Sequence, residues 1–155
     1  TNGNAGTTSN ENGIFNLLNV KLTDTLLFSA LGFENKVLAY ADAQKAPEWF
    51  TTAPSLAIPK ALDKAGLTIS DIDYWELNQA FAVVGLANMK ILGLDPSKVD
   101  VNGGAVALGH PLGCTGAKLS IQLFNELRRQ NKKYGLVTAC VGGGQGVAGI
   151  YELLK

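Results

Sequence analysis

A chain of 155 residues, 46% of them hydrophobic, is long enough for one domain with a core of its own, since a domain of that size buries roughly 70% of the surface its unfolded chain exposes. Thirteen Lys and Arg balance thirteen Asp and Glu, which excludes a general basic field for nucleic acid or anionic lipid, so any anionic ligand must be held by local groups. No apolar run approaches the about 20 residues of a membrane span, and no signal peptide or peroxisomal tripeptide is recognisable.

Two cysteines in unlike surroundings do not make a disulfide framework, which points to a reducing cytosolic or organellar setting. The chain opens on Thr1 and its single methionine is Met89. It is therefore expected to be a piece whose start lies upstream, cytoplasmic unless a lost address sent it to mitochondria.

Taken in order, residues 1–13 (TNGNAGTTSNENG) are polar and rich in Gly and Asn, and read as loop. Residues 14–20 (IFNLLNV) and 36–43 (KVLAYADA) predict strands, with a short helix between them over 23–33 (TDTLLFSALGF). A helix is predicted from Ser55, closed by Gly66 as a C-terminal glycine cap. A strand over 71–78 (DIDYWELN) leads into a mostly apolar, hence buried, helix over 79–94. Residues 98–105 (KVDVNGGA) predict a further strand, 115–131 a helix with an apolar face and a basic end, and 134–141 and 146–154 a closing pair of strands. The alternation favours a layered α/β architecture, without internal repeats or a low-complexity linker.

Three polar residues stand where predicted strands run out: Asn78, His110 and Cys140. Strand ends and the loops after them are the usual place for a site in such folds. His110, the only histidine, precedes Pro111 and then Gly113 and Gly116 at the mouth of a helix. The partial positive charge of that helix end disfavours an imidazolium, leaving a neutral ring able to pass a proton. Cys140 precedes Gly142, Gly143, Gly144 and Gly146, a run that lets backbone N–H groups approach a ligand. A thiol beside such donors can act as nucleophile or proton carrier while the donors hold an oxyanion.

Plainer readings stand beside these. His110 can be a capping or surface histidine, Cys140 an inert strand-end thiol with glycines forming a tight hairpin, and Asn78 a helix cap. Cys114 reads as a small loop residue. Neither glycine stretch is followed by the Lys-Ser/Thr of a phosphate-binding loop, no GxGxxG opens a helix, and no zinc spacing exists, so no metal ligands are assigned.

Asn78-Gln79-Ala80-Phe81, Gly109-His110-Pro111 and Cys140-Val141-Gly142-Gly143-Gly144, in this order, give a chain that resembles the C-terminal half of a thiolase. It is most similar to short-chain biosynthetic acetyl-CoA acetyltransferases of the fungal cytosolic type, from about residue 37 to the end. The resemblance implies an α/β thiolase half-domain, βαβαβαββ, with a five-stranded mixed sheet and helices on both faces. It implies a Claisen condensation of two acetyl-CoA to acetoacetyl-CoA, or the reverse thiolysis, as in mevalonate and sterol synthesis. In that chemistry Cys140 abstracts the α-proton of acetyl-CoA. His110 activates a nucleophilic cysteine and, with a water held by Asn78, binds the thioester oxygen. The backbone N–H of Gly142 helps form the second oxyanion hole, and Phe81, Ala5, Gly6 and Val106 are substrate contacts.

The implied partners are the coenzyme A thioesters, an N-terminal thiolase domain and further copies of the full protein in a homo-oligomer, with no nucleic acid and no membrane. No cofactor is implied beyond the monovalent cation that assists some relatives. Two departures stand out: Gln79 replaces the usual Glu, which is expected to change the tuning of His110, and residues 1–36 form a diverged segment in which Gly6, Ile14 and Phe15 replace smaller or hydroxylated residues. No residue matches the acyl-accepting cysteine. The chain is therefore expected to be inactive alone; the alternative is a diverged, non-catalytic module that binds acyl-CoA or a protein partner.

Overall fold

The computed structural model describes residues 27–30 and 33–154. Among the described residues five strands form one mixed sheet in the order β1-β2-β5-β4-β3. They are β1 (Leu27–Ala30), β2 (Phe33–Gln44), β3 (Tyr74–Leu77), β4 (Tyr134–Val141) and β5 (Gln145–Leu153). Only β3 and β4 run parallel; the other neighbours are antiparallel. A parallel pair needs a crossover, here made by α2 (Ala82–Leu92), the single turn α3 (Ala105–Leu108) and α4 (Thr115–Arg129). The remaining helix, α1 (Pro54–Ala65), links β2 to β3.

Helices cover both faces of the sheet, as the α/β reading expected. On one face α1 turns Ala57, Ile58, Ala61 and Leu62 onto Ala41 and Ala43 of β2 and Ala148 and Ile150 of β5, all buried in one cluster. Alanines on both sides let helix and sheet approach closely, which is how a short helix makes a dense core. Gly66 ends α1 in the left-handed conformation, φ 66°, with its N–H donating to Asp63 O, so the predicted glycine cap is present. On the other face α4 buries Leu119, Leu123, Phe124 and Leu127. There Gly135 of β4 is required by contact: a Cβ at that position would stand 2.6 Å from Leu123 Cδ2. Phe124 meets Tyr151 of β5 edge to face, ring centroids 5.1 Å apart.

Two expected elements change type. Residues 27–30, predicted within a helix over 23–33, are a strand paired antiparallel with β2, Leu27 opposite Lys36 and Ala30 opposite Phe33. The apolar run is short enough to serve either state, and the open edge of β2 decides in favour of the strand. Residues 98–105 do not form the predicted strand: a single bridge, Val99 to Trp75, is all that joins the sheet. At Asp100 the backbone turns to φ 48° and its side chain, rather than the next main-chain carbonyl, accepts the N–H of Leu77 at 2.8 Å. The ladder ends there because a carboxyl oxygen has replaced it. The predicted strand over 14–20, the loop over 1–13 and the candidates Ala5 and Gly6 lie outside the described residues. Among the described residues no helix is long and apolar enough to cross a membrane.

Candidate active site

Because β3 and β4 are parallel, their carboxyl ends lie on the same edge of the sheet, where α/β folds place their sites. Asn78 is the first residue past β3, and its N–H donates to Thr138 O of β4 at 2.9 Å. Cys140 is two residues further along β4. The third candidate arrives from the crossover. Gly109, at φ 88° and ψ 163°, makes a turn that only glycine takes without strain, and puts His110 between α3 and α4.

The structure joins Asn78 and His110 directly. Asn78, wholly buried, donates from Nδ2 to His110 Nε2 at 3.4 Å. On the far side of the ring, Nδ1 lies 2.6 Å from Thr115 Oγ1, and that hydroxyl donates to Pro111 O at 2.9 Å. A hydroxyl has one proton. With it committed to Pro111 O, Thr115 accepts from Nδ1–H, so the neutral ring keeps its lone pair on Nε2, facing Asn78. The capping alternatives fall away: Phe81 and Cys114, not Asn78 or His110, occupy the N-cap positions of α2 and α4. Among the described residues the buried Asn78 Oδ1 has no hydrogen-bond partner.

The glycines after Cys140 divide into two kinds. A Cβ at Gly146 would strike the Ala53 backbone at 2.5 Å, and one at Gly144 would overlap Lys45 O. These two admit the chain from Lys45 to Pro54, which Lys45 N–H ties to Gly144 O at 2.9 Å. Gly142 and Gly143 are different, for a Cβ on either meets nothing within 4 Å. Only this half of the run leaves backbone open to a ligand. Cys140 itself is a free, half-buried thiol packed against the α1-side cluster, and burial pushes its ionisation above the ordinary thiol range. Among the described residues no hydrogen bond joins it to His110.

Phe81 is 56% exposed and meets Phe50 edge to face at 6.3 Å, while Val106 on α3 is 66% exposed. Both offer apolar surface. The Gln79 side chain lies against the backbones of Gly85 and Gly104; a Cβ at Gly85 would stand 3.0 Å from Nε2 and one at Gly104 would overlap the carboxamide. Its carboxamide thus wedges α2 against the 103–104 turn and, among the described residues, makes no hydrogen bond to His110. Cys114, exposed, shares an open groove of about 470 Å³ on α4 with Leu108 and Ile121. No three His, Cys, Asp or Glu side chains gather as a metal centre among the described residues.

Four contributors escaped the sequence. Thr115 orients the ring, and its signal was its place five residues after His110 on the first turn of α4. Lys118 donates to Gly109 O at 2.6 Å and so fastens the His110 turn to α4. Glu76 and Asp100 are buried carboxyls at 2% and 7% exposure. Burial pushes Glu76 up to about 8, with Asp100 adding to it, and pushes Asp100 up to about 7 against the pull of the Leu77 N–H.

Residues 32–153 match the family described as thiolase, C-terminal domain. The chain belongs to the thiolase family. It is 58% identical to acetyl-CoA acetyltransferase 2 of Arabidopsis thaliana, an alignment covering 77% of this chain and 30% of the relative. It is 52% identical to a cytosolic acetyl-CoA acetyltransferase of Gibberella zeae, with the same coverage of 77% and 30%. The crystal structure of the Bacillus anthracis acetyl-CoA acetyltransferase superimposes with a TM-score of 0.76 at 43% identity, over 77% of this chain and 30% of that one. The chain thus spans about a third or less of the thiolases it matches here, corresponding to their C-terminal domain.

Proposed function

We propose that this thiolase domain is the C-terminal half of an acetyl-CoA acetyltransferase, condensing two acetyl-CoA to acetoacetyl-CoA or running the reverse thiolysis, and inactive until joined to the half that carries the acyl-accepting cysteine. The observation that carries the reading is the relay Thr115–His110–Asn78 at the open edge of the sheet. A ring held with its lone pair on Nε2 takes the proton of a cysteine supplied from the other half, and Nε2–H then donates to a thioester oxygen. Asn78 Oδ1, buried and unpartnered, fits a bound water beside that oxygen. Gly142 and Gly143 present unobstructed backbone to the acyl-enzyme oxygen.

Carbon–carbon bond formation needs a base for the α-proton, and this role falls to Cys140 as thiolate. It takes the proton while the C–H electron pair attacks the acyl carbonyl, and the acyl-accepting cysteine leaves. Exposed Phe81 and Val106 suit the pantetheine chain. Ala5 and Gly6 belong to the same reading, as do a cytoplasmic setting in sterol-precursor synthesis and a homo-oligomeric full-length protein. Coenzyme A thioesters are substrates, so no resident cofactor enters, and a monovalent cation is the one addition to test.

One observation favours a second reading, that of a non-catalytic module binding acyl-CoA. Cys140 is held as a thiol with no hydrogen bond to His110 among the described residues. Joining this chain to an N-terminal thiolase half with an intact cysteine separates the two. Cleavage of acetoacetyl-CoA by coenzyme A that is lost in His110→Ala and Cys140→Ala upholds the enzyme, whereas acyl-CoA binding without α-proton exchange upholds the module.

A further inference from the structure

Asp100 occupies the point where the chain leaves its single bridge to β3. Its N–H donates to Trp75 O and its Oδ1 accepts Leu77 N–H, both at 2.8 Å. The residue is 7% exposed, Oδ2 has no hydrogen-bond partner among the described residues, and the backbone is left-handed at φ 48°. A non-glycine residue in that conformation is strained, and a buried carboxyl adds a desolvation cost. Two costs at one position call for a return. The return is the fixed end of β3, because Leu77 immediately precedes Asn78, the donor to His110 Nε2.

The surroundings extend the link. Glu76 approaches from β3, and the charged groups that face this pair from α4 are Lys118 and Glu126. Glu126 is already engaged by Arg129 and Asn102. Lys118 donates to Gly109 O, next to His110. The Asn78 side of the Asn78–His110 contact therefore traces back to one carboxyl.

We propose that Asp100 is a positioning residue for the Asn78–His110 pair, holding Asn78 in place through Leu77 N–H. The proposal rests on Asn78 and His110 being the working pair. Its test involves no turnover, so it fails or stands separately from the catalytic reading. A chain with a single histidine makes the test direct, because imidazole nitrogen signals need no assignment.

In nitrogen-15 spectra and hydrogen exchange of this chain, Asp100→Ala is expected to speed exchange at Leu77 N–H by about tenfold relative to Leu136, the equivalent of one lost hydrogen bond. It should also shift the His110 Nε2 and Asn78 side-chain amide signals. Asp100→Asn, which keeps an acceptor oxygen, should restore all three. In a Glu76→Gln background, which removes the neighbouring carboxyl that titrates at about 8, it should also abolish the movement of the Leu77 amide signal with pH around neutrality. That second variant decides the matter even where alanine prevents folding. Equal loss of protection at every core amide with unmoved His110 and Asn78 signals would overturn the proposal, as would a Leu77 signal that still titrates in the Glu76→Gln, Asp100→Asn double variant.

Discussion

Replacing Glu76 with glutamine removes a charge that the fold accommodates poorly. Glu76 is 2% exposed between β3 and α4, and among the described residues its Oε2 has no hydrogen-bond partner. Its ionisation is raised from 4.5 to about 8, chiefly by burial, then by Asp100, with Lys118 opposing. A carboxyl whose folded value exceeds its unfolded value binds a proton on folding. The stability it permits is therefore complete below pH 4.5 and is lost as pH rises through about 8. At about 1.4 kcal/mol per tenfold, the loss between pH 5 and pH 9 comes to about 4 kcal/mol, a large share of the roughly 5–15 kcal/mol that holds a typical domain.

Glutamine has the shape of the protonated acid and leaves one polar group unpaired as the acid does, so at pH 5 the variant should match the wild type to within about 1 kcal/mol. At pH 9 it should be the more stable by about 4 kcal/mol. Urea unfolding followed by tryptophan fluorescence reads this, with Trp75 buried at 2% beside the substitution. The two stability curves should separate as pH rises, with the slope of free energy against urea unchanged. Curves that run parallel from pH 5 to pH 9 would refute the reasoning, for they would mean that Glu76 is ionised in the folded protein at every pH tested.

Thr115→Val deletes the acceptor of His110 Nδ1–H, so nitrogen-15 spectra should change from one tautomer to a mixture, and turnover of the joined protein should fall by about tenfold or more. Gly104→Ala drives a methyl into the Gln79 carboxamide and should cost about 1–3 kcal/mol; adding Gln79→Ala should recover most of it in a double-mutant cycle. In a Cys114→Ser chain, alkylation of Cys140 by iodoacetamide should stay slow at neutral pH and rise only above the ordinary thiol range, because burial holds the proton on. A half-maximal rate at or below that range, read by mass spectrometry, would count against the burial argument.

What the sequence made legible follows from which forces act locally. The periodicity of α4 and the glycine cap of α1 announced themselves, since each is settled within a few residues of chain. The identity of residues 27–30 was settled instead by β2, and that of residues 98–105 by a carboxyl reaching Leu77 across 23 positions. Motif spacing marked Asn78 and His110 and the structure brings them into contact, yet the same spacing could not divide the glycines after Cys140. Gly144 and Gly146 are small because the chain from Lys45 to Pro54 crosses them, while Gly142 and Gly143 face nothing. A glycine run is one signal in sequence and two in space. The same division explains why Cys140 at the head of the run looks like a reactive thiol on paper but packs against the core in the fold. For it to serve as a base, something must offset its burial. Open backbone at Gly142 and Gly143 and a ring with its lone pair on Nε2 are the groups this edge of the sheet has to offer.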